Sequence, residues 1–133
     1  MRIRRAAAAF FGAIMAMHGA DAAPLDEHRW KNRLLVVSAP AENGAVEEQR
    51  RIYGSAAGGM SERQILLVEA LGDSERSRQL RSKVSADGKR FQVFLVGKDG
   101  HTALSSDKPF SAEYLFDRVD AMPMRRDEMR RGR

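Results

Sequence analysis

The sequence predicts an α/β domain built on a four-stranded mixed sheet. Three features carry that expectation. Two apolar runs, Leu34-Leu35-Val36-Val37 and Ile65-Leu66-Leu67-Val68, flank one amphipathic helical pattern. Continuous apolar runs of this length read as strands buried on both faces, and a strand–helix–strand order with short links makes them parallel neighbours. A glycine turn, Lys98-Asp99-Gly100, joins two further strand-like segments as a hairpin. Ala112, Leu115, Phe116 and Val119 then recur at i, i+3, i+4 and i+7, the buried stripe of a closing helix.

The chain begins with a segment that belongs to none of these elements. Arg2, Arg4 and Arg5 precede an uncharged, mostly apolar run over residues 6–17, and Ala20-Asp21-Ala22 follows. A basic start, an apolar run and an A-x-A site form the order of a secretory signal. The run is shorter than the roughly twenty residues that a membrane span needs. A cleaved signal over residues 1–22 is therefore expected, with a single domain over 23–129, a basic disordered tail over 130–133 and no transmembrane anchor after cleavage. The expected address is periplasmic or secreted.

Composition narrows the chemistry. There is no cysteine, so thiol exchange, cysteine peroxidase chemistry, thiolate metal sites and lipidation at a lipobox are excluded. The full chain has 23 Lys and Arg against 18 Asp and Glu. Loss of Arg2, Arg4, Arg5 and Asp21 with the signal leaves a surplus of three. Much of that surplus lies in Arg125, Arg126, Arg130, Arg131 and Arg133. The body is charge-mixed, which argues against a nucleic-acid surface.

Each element has a local reason. Residues 24–32 are polar around Trp30 and lead into the first strand, which Ala39-Pro40 ends. Asn43-Gly44 opens a helix expected over residues 45–57, with Glu47 and Glu48 at its positive end and Gly58-Gly59 as its stop. After the second strand, residues 73–83 read as a thin surface helix around Leu80. Asp87-Gly88 turns the chain into a third strand over 91–97, and the hairpin returns it along 102–104. Ser111 caps the closing helix, which Pro123 ends near residues 120–122. The tail from Met124 is expected to fray.

This β-α-β-(α)-β-β-α order matches a thioredoxin-like fold. Specific residues point further: Arg33-Leu34-Leu35-Val36-Val37-Ser38-Ala39-Pro40, Gln49-Arg50-Arg51, Glu62-Arg63, Val96-Gly97-Lys98-Asp99-Gly100 and, most specifically, Asp120-Ala121-Met122-Pro123-Met124-Arg125. Together they resemble the P-DUDES family, an exported bacterial domain of unknown function, over residues 24–129. Related domains occur in secreted animal proteins that carry sushi repeats. The resemblance implies a thioredoxin-like fold without an established activity. Where redox-active relatives of that fold place paired cysteines, this chain has Ala39-Pro40-Ala41-Glu42-Asn43, and it lacks a proline just before the third strand.

No catalytic, cofactor or metal constellation is evident. His28 and His101 fall in unrelated loops, and no G-x-S-x-G elbow or phosphate-loop lysine occurs. Met60, Met122, Met124 and Met129 read as packing residues before copper(I) ligands. The remaining candidates are the charges of the family motifs: Arg50, Arg63, Lys98, Asp99, Asp120 and Arg125. Asp120 with Arg125 and Arg126 can form an ion pair that folds the tail back, or mark a small anionic-ligand site. The function expected is a non-catalytic binding or structural module of the cell envelope, partnered by an envelope protein or an anionic ligand. The alternative is an enzyme that uses these Arg and Asp residues on an anionic substrate. A third reading is attachment of the basic tail to anionic envelope polymers.

Overall fold

The computed structural model describes residues 28–132, and the expected signal over 1–22 lies outside them. The order is β1 (Arg33–Ala39), α1 (Gly44–Ser55), α2 (Ala57–Glu62), β2 (Ile65–Leu71), α3 (Glu75–Val84), β3 (Gln92–Val96), β4 (Thr102–Ser106), α4 (Ala112–Asp120) and α5 (Pro123–Arg131). The strands form one sheet in the order β2-β1-β3-β4. β1 and β2 are parallel, with Leu35 beside Leu67, while β3 runs antiparallel to β1, with Leu35 beside Leu95. β4 is the antiparallel edge. The expected four-stranded mixed sheet of a thioredoxin-like α/β fold is the observed one.

Strand alternation sorts the core into two layers. Leu35, Val37 and Ala39 pack with Val46 of α1, Met60 of α2, and Leu115 and Val119 of α4. Leu34 and Val36 face the other way, toward Leu80 and Val84 of α3. β1 is covered on both faces, and all seven of its residues are buried. This explains why its sequence is a continuous apolar run rather than an alternating one. Three helices start on side-chain caps. Asn43 accepts the Val46 N–H at 2.9 Å. Ser74 and Ser111 accept the N–H of the residue three positions on, Ser77 and Tyr114, each at 3.1 Å.

Three sequence expectations need correction. Gly58-Gly59 does not stop the first helix. α1 ends at Ser55, Ala56 turns the chain, and both glycines lie inside α2. Packing gives the reason at Gly59, where a Cβ would sit 2.5 Å from Cζ of Phe116. The glycine is there for close approach of two helices. The second correction concerns the tail. Instead of fraying from Met124, the chain forms α5 through Arg131. Pro123 stands at the start of this helix, where its fixed φ suits the helix and its missing N–H costs nothing. The same proline that ends α4 therefore begins α5. Phe116 is half-buried rather than buried. The hairpin is as expected, with Gly100 at φ +89°, a conformation that other residues adopt at a cost. No helix among the described residues is long and apolar enough to cross a membrane.

Candidate functional site

The charged residues of the closing motif converge at one end of the sheet. Arg33 opens β1, Arg63 and Gln64 precede β2, and Lys98 follows β3. β1 and β2 are parallel and β3 is antiparallel, so all these positions lie at the same end. α4 ends there at Asp120, and α5 starts there and lays Arg125 and Glu128 against it, one turn apart.

Asp120 is held by two guanidinium groups. Arg63 reaches both carboxylate oxygens at 3.0 Å from Nε and Nη2, and Arg125 Nε reaches Oδ1 at 3.1 Å. Arg125 also reaches the Glu62 carboxylate at 3.1 Å and the Glu62 carbonyl at 3.2 Å. Glu128 gathers the other cations: Lys98 Nζ at 2.6 Å and Arg33 Nη1 and Nη2 at 3.3 Å each. Lys98 donates to Gln64 as well. Arg33 donates to the Arg63 carbonyl at 2.7 Å. The Arg63 guanidinium lies 4.0 Å from the centre of the Phe116 ring and donates to the Gly59 carbonyl at 3.0 Å.

The cations are the buried partners. The side chains of Arg33, Lys98 and Arg125 are 1 %, 8 % and 6 % exposed, against 33 % for Asp120 and 22 % for Glu128. Burial raises the Asp120 carboxyl, but the hydrogen bonds from Arg63 and Arg125 outweigh it and hold it below the ordinary aspartate range. Burial likewise raises Glu128, and Lys98 and Arg33 bring it below the ordinary glutamate range. The cluster matches four cations to three carboxylates, and Arg33 Nε is buried with no acceptor among the described residues. A cleft of about 410 Å³ lies beside it, lined by Arg33, Lys98, Asp99, Met122, Pro123 and Met124 among others.

Of the six residues singled out in the sequence, Arg63, Lys98, Asp120 and Arg125 meet in this clasp. Arg50 and Asp99 do not join the ion pairs. Arg50 bridges Glu42 and Glu69, each at 2.8 Å. Its guanidinium is raised above its ordinary pKa, first by the Glu69 hydrogen bond and then by that of Glu42. Asp99 accepts the His101 backbone N–H at 3.0 Å, the main reason its carboxyl is lowered. It lines the cleft from the hairpin turn.

Arg33, Gln64 and Glu128 were missed as site residues. Glu128 had a signal: a proline that can start a helix places Arg125 and Glu128 on one face. Arg33 had none, since it reads as the polar flank of an apolar strand. Two buried polar residues outside the clasp were also missed. Gln49 makes a paired contact with the Phe110 backbone, donating to its carbonyl at 3.0 Å and accepting its N–H at 2.7 Å. Arg81 donates to Ser38 Oγ and the carbonyls of Ala39 and Ala70 at 2.9 to 3.1 Å. Among the described residues, no three His, Asp or Glu side chains gather as a metal site requires.

The fold and the clasp define a class: a cysteine-free, three-layer α/β domain with a thioredoxin-like sheet, closed by a buried ion-pair network. The chain belongs to the family called domain of unknown function DUF4174, whose model matches residues 24–128. It is also similar to coiled-coil domain-containing protein 80 of Danio rerio, at 27% identity over 133 residues. That alignment covers 79% of this chain and 15% of the fish protein, so the chain spans a small part of that relative's length.

Proposed function

We propose that this chain is an exported P-DUDES-type domain with a thioredoxin-like fold, acting as a non-catalytic binding or structural module of the cell envelope. The observation that carries this reading is the internal matching of its most distinctive charges. Asp120 is held by Arg63 and Arg125, and Glu128 by Lys98 and Arg33. Side chains committed to one another in this way support a helix-holding role. They do not stand ready as a general acid, a base or a nucleophile. In the loop after β1, Asn43 serves as a helix cap. The basic, apolar and A-x-A segments of residues 1–22 support export.

A second reading is an enzyme that acts on an anionic substrate through these Arg and Asp residues. The acceptorless Arg33 Nε and the neighbouring cleft favour it. One pair of measurements tests both readings. Expression of the whole chain in a Gram-negative host, followed by fractionation and mass determination, is expected to give a periplasmic product that starts at Ala23. A cytoplasmic, unprocessed product would overturn export. Thermal melts of that product in phosphate, sulfate, acetate and citrate at matched ionic strength are expected to coincide. A concentration-dependent rise with one anion would reveal an anion site, which the second reading requires and a purely structural module lacks.

A further inference from the structure

The start of α5 is open. Its first helical hydrogen bond runs from Arg126 N–H to the Met122 carbonyl at 3.0 Å. Pro123 has no N–H, and the N–H groups of Met124 and Arg125 come too early in the helix to find an acceptor inside it. No side chain caps them, and the first turn holds no acid. The positive end of this nine-residue helix therefore stands without a counter-charge of its own. Met122, Pro123 and Met124 are its N-cap and first two positions, and they form one wall of the cleft of about 410 Å³.

Two cations line the same cleft. The Arg33 side chain is 1 % exposed, and its Nε has no acceptor among the described residues. Lys98 Nζ uses two of its three donors, on Gln64 and Glu128. Asp99, the carboxylate at the rim, accepts the His101 backbone N–H at 3.0 Å. Apolar side chains complete the wall. Met122 packs against the core, whereas Met124 is half-buried and belongs to neither core layer. Leu95 pairs with Leu104 but Val96 with Thr102, so Ala103 is the extra residue of a β-bulge, and it lines the cleft. Bulges of this kind re-aim side chains beside binding sites.

We propose that this cleft binds a small amphipathic carboxylate, its charge at the start of α5 with Arg33 and Lys98, and its apolar body over Met122, Met124 and Ala103. An open helix N-terminus beside cations selects an anion. The cleft volume falls within the range of about 300–1,000 Å³ that small-ligand sites occupy. Glu128 already answers much of the positive charge of Arg33 and Lys98. A bare anion therefore gains little, and the apolar wall must supply the rest of the affinity. On this account acetate leaves the protein unchanged, whereas a carboxylate with a longer apolar body binds. The inference rests on the reading of the chain as a non-catalytic binding module and names its ligand class.

Titration of the purified product of the whole chain with hexanoate, acetate, hexanol and hexylamine tests this, by calorimetry and by thermal melts at matched ionic strength. Two variants, M124E and A103E, each place a carboxylate in the cleft. At Met124 the new charge suits the start of a helix, and Ala103 is exposed, so both are expected to fold, as melts without ligand will show. Hexanoate is expected to bind wild type and, at tenfold excess over its dissociation constant, to raise the midpoint by roughly 5–10 °C. The other three compounds are expected to leave it unchanged. Each folded variant is expected to bind hexanoate at least about tenfold more weakly, through like-charge repulsion. Absence of hexanoate binding to wild type overturns the proposal and leaves the helix-holding role of the clasp standing. Equal binding of hexanol would show an apolar site alone, and equal binding of acetate a charge site alone. Either result overturns the proposal, as does undiminished hexanoate binding in a folded variant.

Discussion

Arg63 and Asp120 stand 57 residues apart in the chain, yet the guanidinium meets both oxygens of the carboxylate at 3.0 Å. This fork ties the turn before β2 to the end of α4. Arg125 shares the same carboxylate from α5, so one aspartate links three segments. Paired, planar contacts of this kind add geometric definition as well as energy.

Asp120→Asn keeps the shape of the side chain and removes its charge. It leaves Arg63 and Arg125, whose side chains are largely buried, short of one counter-charge. The expected loss is about 2–4 kcal/mol, at the lower part of the range for breaking a buried pair because Asp120 retains some contact with water. Urea denaturation should show a lower midpoint with an unchanged slope. A midpoint equal to wild type would show that the clasp is dispensable.

The pH dependence follows from Asp120 and Glu128, both of which lie below their ordinary pKa range in the folded protein. The unfolded chain therefore binds more protons than the folded one as pH falls through the ordinary carboxylate range of about 4. Their stabilisation is fully present above that range and disappears as pH drops through the lower folded values. Melting temperature should fall steeply below about pH 4. The double variant D120N/E128Q should have a lower plateau at neutral pH and a flatter acid limb. Equal acid slopes in the two proteins would assign the acid sensitivity elsewhere.

Gly59 and Phe116 should couple energetically. A Cβ at Gly59 would lie 2.5 Å from the Phe116 ring, so Gly59→Ala is expected to cost about 1–3 kcal/mol through overpacking. Phe116→Ala should cost about 2–4 kcal/mol, below the value for a fully buried phenylalanine because the ring is only half-buried. Combined, the two changes should cost clearly less than their sum, since the shortened side chain removes the clash. Strict additivity in a double-mutant cycle would refute the contact.

The end of the chain separates decoration from structure. Removing residues 130–133 takes away the exposed Arg130 and Arg131 at the end of α5, and should shift stability by less than about 0.5 kcal/mol. Removing everything from Pro123 onward also deletes Arg125 and Glu128, leaving Arg33 and Lys98 buried without their carboxylate. That truncation should lose most of its cooperative melt. Calorimetry of the two proteins would distinguish them, and equal melts would show that α5 contributes nothing.

The order and pairing of the strands were legible because burial writes a local pattern. Leu34-Leu35-Val36-Val37 must be covered on both sides, and a single short crossover then makes its partner parallel. The stripe of Leu115 and Val119 was legible for the same reason. Helix 3.6-fold and strand twofold periods can be read from neighbouring residues alone. The clasp has no period. Arg33 meets a carboxylate 95 residues away, and Lys98 meets its glutamine across 34. Each looks in sequence like any surface charge. Only the close packing of five chain segments removes water from them and turns separate polar residues into matched pairs. The tail was misread for a related reason: Pro123 can start a helix and Met, Arg and Glu over 124–131 are good helix formers, but the contacts that hold this short helix, Arg125 to Asp120 and Glu62 and Glu128 to Arg33 and Lys98, come largely from distant segments. Sequence determined the sheet through local apolar burial; tertiary structure decided which charges became partners, because desolvation and ion pairing exist only once distant segments meet.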